Sequence, residues 1–484
     1  MRIFLISPLT PTGGRDMLRF PPLGIAYLAA ALIKNGDTVK LWDRNIVSIK
    51  NKFDLLITDN KTLNEIKNFN PDVVGFSVTT PTMYDVKYFS EIIRDVMPHK
   101  KIIIGGIHPT VEPEESLRIC PAVDVVVRGE GEQTIVNLVN SLDSYSEVKG
   151  ITFRMGEEII SNSDVELIAN LDDIPPPRRE LLDMNFYSVS IHARGLYGRF
   201  TTIFTSRGCF NRCNFCSGHN IFKKGVRFHS ANRIASEIED ITGKYKIDYL
   251  WFAEDEFLSH RERIIEFSNL LIKKGLNKKV KWIGQVRPDK NRVDEELLKI
   301  IKESGCIQLE FGFESASQEE LDRMNKNTRA EDYHSLVQLI QKNGIRCQAN
   351  IILNYPGQTR EDFLKTLFFI KNSKPQMIQA NRFLPLPGSQ IYEDLKKRGY
   401  RISWKESEKS DLNFSAMSDK EYMEISHFFC LLCEKINKKN FHLFYLFNKP
   451  LFFLQFVLKL ILKRILRKIK YYARINQPVC KNLC

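Results

Sequence analysis

Cysteine is scarce in the first part of this 484-residue chain, where Cys120 is the only one among residues 1–208. A thiolate-ligated cluster is therefore excluded from that part. No secretory signal is expected either: the run Arg2–Ile6 is too short before Pro8 and Pro11 and reads as a strand. A reducing, cytoplasmic setting follows for the ten cysteines of the chain. Acidic residues are missing from Lys435 to Cys484, a stretch with 12 lysines and arginines. The whole chain carries a formal net charge of +13, so the first 434 residues are left at about +1. The basic character belongs to the tail, and nucleic acid is not an expected partner of the body. Long apolar runs are also lacking. The one that begins at Leu451 meets Lys459 well before the roughly 20 residues that a membrane span needs.

What is present suffices for a multidomain enzyme. The hydrophobic share of 43% supports proper cores, and the length suggests roughly three domains. The chain opens with strands expected at Ile3–Ser7, Thr38–Trp42, Val73–Val78, Ile102–Gly105 and Val125–Arg128, with helices at Pro22–Lys34 and Pro81–Val96. This alternation predicts an α/β doubly wound domain with a mostly parallel sheet. Such sheets bind ligands beyond the carboxyl ends of their strands. Polar and glycine positions gather there: Asp43, Ser77, Thr79, Gly105-Gly106 with His108, and Gly129-Glu130-Gly131-Glu132. A second strand-then-helix repeat over residues 199–395 suits a partial parallel barrel, whose active site would again lie at the carboxyl ends.

The first strand of that repeat leads into Cys209-Phe210-Asn211-Arg212-Cys213-Asn214-Phe215-Cys216. Three thiolates on one tight loop can hold three corners of an iron–sulfur cluster and leave one iron free. From spacing alone a zinc site is the alternative, with His219 as the only nearby fourth ligand.

Thr205-Ser206-Arg207-Gly208-Cys209 and Cys213-Asn214-Phe215-Cys216 resemble the signature loop of the radical S-adenosylmethionine enzymes, in which an aromatic residue, here Phe215, precedes the third cysteine. The resemblance implies a 4Fe-4S cluster held by Cys209, Cys213 and Cys216. Its open iron would chelate S-adenosylmethionine, which is cleaved to a 5′-deoxyadenosyl radical. It also implies cofactor contacts at the strand ends: Glu254 or Asp255 in Glu254-Asp255-Glu256-Phe257, and Glu314 in Glu310-Phe311-Gly312-Phe313-Glu314. Leu384–Tyr392 matches the barrel-closing segment of that family, while Asn354 stands where relatives usually have glycine before Tyr355-Pro356-Gly357.

Pro21-Pro22-Leu23-Gly24, Val74-Gly75-Phe76-Ser77, Gly105-Gly106 with His108, and Gly129-Glu130-Gly131-Glu132 resemble, in order, the cobalamin-binding domain of one branch of that family. That branch includes hopanoid and other lipid C-methylases and anaerobic porphyrin cyclases. Ser77, Thr79, Gly105, Gly106, His108, Gly129 and Glu130 are the positions where the resemblance implies corrinoid contacts. No Asp-x-His-x-x-Gly loop is present, and Asp43-Arg44-Asn45-Ile46 lacks the histidine. Cobalamin without a histidine lower ligand is therefore expected.

The expected organisation is a cobalamin-binding domain over 1–140, a linker over 141–198, the partial barrel over 199–395, a helical region over 396–440 and a basic amphipathic tail over 441–484. In the tail, cations at 459, 463, 464, 467, 468 and 470 alternate at helical spacing with apolar residues. This predicts an interfacial helix on anionic lipid, and with it a peripheral position at the inner face of the membrane. The expected activity is C-methylation of an unactivated carbon in a hydrophobic or lipid-like small molecule, with electrons from a donor such as flavodoxin or ferredoxin. A radical cyclase or rearrangement enzyme is the alternative, and a non-enzymatic cobalamin sensor a remote one. A tRNA methylthiotransferase would carry three further cysteine ligands early in the chain, where only Cys120 stands.

Overall fold

The structure is a computed structural model that describes residues 1–484 except 12–19, 47, 48, 50, 190, 224, 401–411 and 449–484. The first sheet contains β1 (Arg2–Ser7), β2 (Thr38–Asp43), β3 (Val73–Ser77), β4 (Lys101–Gly105), β5 (Val125–Val127), β6 (Ile151–Met155) and β7 (Glu158–Ser161), in the order β2-β1-β3-β4-β5-β6-β7. Pairing is parallel through β5 and antiparallel beyond it. Parallel strands are covered on both faces, which is why Ile102–Ile104 and Val125–Val127 are unbroken apolar runs. One face buries Leu5, Ile103 and Val125 under the helix Leu23–Lys34. The other buries Phe4, Ile6 and Ile104 under Val86, Phe89 and Ile93 of the helix Met83–Val96.

Two features depart from the sequence expectation. The helix Lys52–Phe69 was not anticipated. It is capped by the Asn51 side chain, which accepts from the Asp54 amide, but its exposed Phe53, Leu56 and Ile57 blur the amphipathic pattern. The expected linker is not a separate connector, because its hairpin around Gly156 adds β6 and β7 to the first sheet.

The second sheet is wholly parallel: β8 (Phe200–Ile203), β9 (Tyr249–Phe252), β10 (Lys281–Val286), β11 (Cys306–Glu314), β12 (Arg346–Leu353) and β13 (Met377–Arg382), in chain order. Alternate side chains divide its faces. Leu309, Phe311, Ala349, Ile351 and Ile378 pack outward under the helices. Gln308, Glu310, Gln348, Asn350 and Gln379 therefore face the inside of the half-barrel. A hairpin, Ile191–Ala193 with Leu196–Gly198, plugs the amino-terminal end of that interior. Arg194 reaches Glu310 at 2.9 Å and stacks on Trp251 at 3.7 Å, while Arg346 donates to the Gly195 carbonyl. Gly195 has φ +67°, and a Cβ there would lie 2.6 Å from the Met377 sulfur, so only glycine fits the tip.

The helix Asp419–Asn448 closes the far edge, where Asn437 bonds both the amide (2.8 Å) and the carbonyl (2.7 Å) of Ile378. Cys430 is exposed and Cys433 buried on this helix. No helix among the described residues is long and apolar enough to cross a membrane. The interfacial helix expected over 451–472 lies outside the described residues.

Candidate active site

The cysteine loop sits at the carboxyl end of β8, on a closed neck. Ser206 and Arg207 pair antiparallel with Arg227 and Phe228, so the loop leaves and returns at one place. Gly208 (φ +98°) is required at the neck, because a Cβ would lie 2.4 Å from the Gly225 carbonyl oxygen. Cys213 is buried, and Cys209 and Cys216 are half-buried. Cys216 accepts from the Gly218 amide at 3.4 Å, and Asn211 donates to Cys209 at 3.4 Å. Burial, Asp255 and the other two thiols push Cys216 up to about 11. Phe215 packs beside Tyr355 and Phe383, with the Lys326 ammonium 5.8 Å from its ring. Asn214 holds the loop to the barrel: it donates to the Arg323 carbonyl at 2.6 Å and accepts from Tyr355 at 2.7 Å.

Among the described residues, no three His, Cys, Asp or Glu side chains converge as a single-ion site would require. A cuboidal cluster makes no such demand, since each thiolate binds a different iron. The three thiols on one necked loop, open toward the barrel mouth, fit that group.

The carboxylates divide into two kinds. Of the two alternatives, Glu254 is enclosed: its oxygens accept from Thr205 and Ser206, and Arg263 is close by, so it braces the end of β8. Asp255, next along, is open to the recess with an oxygen 3.9 Å from where a Gly218 Cβ would stand, near Cys216. Crowding by protein raises its pKa above the ordinary carboxylate value. Glu314 ends β11 with φ +62°, and its carboxylate meets Lys326 at 3.0 Å. Gly312 makes room for it, since a Cβ there would lie 2.5 Å from the Glu314 oxygen. Glu256, which carried no separate expectation, is buried beside the Arg287 amide, and burial raises its carboxyl to about 7.

In the first domain, a cavity of about 310 Å³ opens beyond the ends of β1, β2 and β3, where the strand order reverses. Ser77 and Thr79 line it, with Ser7, Asp43 and Tyr187. Tyr187, which donates to Asp43, comes from the expected linker and had no local signature. Gly106 (φ +107°) passes so near β3 that a Cβ would lie 2.6 Å from the Val78 carbonyl oxygen, and one on Gly105 would meet Val127. His108 is buried: one ring nitrogen is 3.1 Å from the Thr80 hydroxyl, Nε2 has no hydrogen-bond partner among the described residues, and desolvation lowers its pKa to about 4. Gly129 (φ +72°) turns the chain into Glu130. The cavity and the close glycine approaches fit a large planar ligand with a polar arm.

Glu130 is held by arginines of the second domain. Both its oxygens bond Arg227 at 2.8 Å, and one bonds Arg207 at 3.0 Å. Arg207 also pairs with Glu132. One carboxylate of the first domain therefore grips both sides of the cysteine-loop neck. The short helix Ile107–Val111 packs on the helix Gly218–Phe222 that follows Cys216, so the two sites face each other.

Comparison with known proteins agrees with this arrangement. Residues 16–139 match the B12 binding domain and residues 203–370 the Radical SAM superfamily. The chain is 33% identical over 398 residues to an uncharacterized methyltransferase of Pyrococcus horikoshii, covering 81% of this chain and 83% of that one. It is 28% identical to the anaerobic magnesium-protoporphyrin IX monomethyl ester cyclase of Cereibacter sphaeroides, over 82% of this chain and 64% of that enzyme. The fold is shared with the radical S-adenosylmethionine methyltransferase TsrM of Kitasatospora setae, solved with cobalamin and a [4Fe-4S] cluster, at a TM-score of 0.66 and 15% identity over 82% of this chain and 75% of that one. The chain is a radical S-adenosylmethionine enzyme. It belongs to the branch of that superfamily with an N-terminal B12-binding domain, and its cofactors are the cluster, S-adenosylmethionine and cobalamin.

Proposed function

We propose that this enzyme transfers a methyl group to an unactivated carbon of a small molecule. The observation that carries the reading is the apposition of the two sites: the glycine turn Gly105-Gly106 and the cysteine loop meet through the helices Ile107–Val111 and Gly218–Phe222. When bound, the cluster and S-adenosylmethionine supply a radical that removes hydrogen, and the corrinoid supplies the methyl group. The chain's residues position and exclude. Cys209, Cys213 and Cys216 hold the cluster, and Phe215 shields it. Asp255, beside Cys216, would hold the amine of the methionyl group, and Glu314, paired with Lys326, would hold the cofactor at the end of β11. Ser77, Thr79, Gly105, Gly106 and Gly129 admit the corrinoid. The described residues that line the cavity include no histidine, which supports cobalamin without a histidine ligand.

The basic stretch after Lys449 supports attachment to anionic lipid at the inner membrane face, and a flavodoxin- or ferredoxin-type donor would feed the cluster. Equal liposome binding by a chain ending near Asn448 would refute the attachment. The activity is tested by reconstituting the protein anaerobically with iron, sulfide and cobalamin, then adding S-adenosylmethionine, reductant and host extract. Methylation yields both 5′-deoxyadenosine and S-adenosylhomocysteine in proportion to substrate. 5′-Deoxyadenosine alone would favour ring formation, as the cyclase relative suggests, and neither product would overturn the reading.

A further inference from the structure

The inward face of the half-barrel carries a connected series of side-chain amides with one direction. Arg346 has only donors, and its Nε gives a hydrogen bond to Gln308 Oε1 at 3.0 Å. That contact fixes which end of the Gln308 amide is oxygen. Gln308 Nε2 in turn donates to Gln348 Oε1 at 3.1 Å. Gln348 Nε2 donates to Asn350 Oδ1 at 2.8 Å and to Gln379 Oε1 at 3.2 Å. Gln379 Nε2 donates to Asn381 Oδ1 at 3.4 Å. Each bonded amide oxygen in the series accepts from the side of Arg346, and each amide nitrogen up to Gln379 passes a hydrogen bond on toward the mouth, although Gln308 Nε2 also contacts the Arg194 carbonyl (3.1 Å) and Glu310 (3.4 Å).

Burial follows the same direction. Gln308 and Gln348 are fully enclosed behind the hairpin plug, Asn350 and Gln379 are half-buried, and Asn381 is exposed at the mouth. The series ends at Asn350 Nδ2 and Asn381 Nδ2, neither of which has a protein acceptor among the described residues. Chains of hydrogen bonds polarise one another, so an arginine at the closed end strengthens the donors at the open end. A lumen meant only for hydrocarbon would leave these groups unmatched at a cost.

We infer that Asn350 and Asn381 bind the substrate through an oxygen that accepts hydrogen bonds: a carbonyl, carboxylate or phosphoryl group. This rests on the methyl-transfer reading above and assigns the substrate class of the same site. The group can belong to a water-soluble metabolite or to the head of an amphiphile, but a bare hydrocarbon lacks it.

The test uses the full-length reconstituted enzyme with S-adenosylmethionine and dithionite. Three additions are compared: a methanol–water extract of host cells, a chloroform extract, and squalene, which has no oxygen. The readout is the increase in 5′-deoxyadenosine over the substrate-free rate. An increase with either extract and none with squalene is expected; the extract that succeeds tells metabolite from amphiphile. Asn381→Asp keeps the shape but removes the donors, and Asn381→Leu removes both donors and acceptor. Each should raise the apparent KM for the active extract about tenfold or more. Circular dichroism melting controls for folding. Turnover of squalene, unchanged KM in both variants, or a change confined to the KM for S-adenosylmethionine would overturn the inference. If wild-type enzyme formed no 5′-deoxyadenosine under any addition, the radical reading itself would fall, and the amide assignment with it.

Discussion

Cys213 is the most enclosed of the three cluster cysteines, and its loop is pinned at the neck by Gly208 and at the tip by Asn214. With no fourth cysteine in the loop, Cys213→Ser should lower bound iron and sulfide about tenfold under anaerobic reconstitution and abolish 5′-deoxyadenosine formation. Full iron retention would contradict the assignment. His108 gives a second residue-scale test. Burial lowers its pKa to about 4 from 6.5, so the unfolded chain takes up this proton first as pH falls. Stability is therefore lost progressively from pH 6.5 down to about 4 and this group adds nothing further below that, a total of up to about 3 kcal/mol. In urea unfolding of the cofactor-free protein, His108→Gln should show a shallower loss than wild type between pH 7 and pH 5. Parallel losses would show that the imidazole is solvated.

At the scale of elements, Asn354 is instructive. It follows β12 with φ +66°, the left-handed region that favours glycine. Its side chain donates to the Leu412 carbonyl at 2.9 Å and accepts from the amides of Phe414 (2.9 Å) and Ser415 (3.3 Å). Asn354→Gly would relieve roughly 1 kcal/mol of strain but lose three hydrogen bonds of about 1 kcal/mol each, a net destabilisation of about 1–2 kcal/mol. A lower urea midpoint tests this; an unchanged or higher one would mean the bonds contribute nothing net. The same elements show what the sequence could reveal. Strands of the two sheets were legible because buried parallel strands are unbroken apolar runs and their ends gather glycine and polar residues. The cysteine loop was legible because its spacing is local. Glu254 and Glu130 were not, because whether a carboxylate faces a ligand or an arginine depends on partners 48 to 97 positions away. Tyr187 and the amide series were hidden for the same reason: each is assembled from several strands or from a segment that reads as a connector.

Across the whole molecule, Glu130 is the joint between the corrinoid domain and the neck of the cluster loop. Its side chain is enclosed and is bound by both Arg207 and Arg227. Glu130→Gln would leave half-buried arginine charge poorly matched and loosen the alignment of the two sites, where a displacement of about 1 Å can cost a hundredfold. We expect retained iron content, with the yield of S-adenosylhomocysteine and methylated product falling about tenfold relative to 5′-deoxyadenosine. Glu132→Gln, which touches only Arg207 among these partners, should do the same more mildly. An unchanged product ratio in both variants would reduce the joint to a stabilising contact.

The hairpin whose tip is Arg194 and Gly195 makes the half-barrel a cul-de-sac. Among the described residues the amino-terminal end of that interior is closed, which leaves the carboxyl ends of the strands, where the cysteine loop sits, as the side of approach. With one end stopped, a spent nucleoside and an incoming reactant would share the same side of the sheet, so the sequence of arrivals and departures would become part of the enzyme's timing.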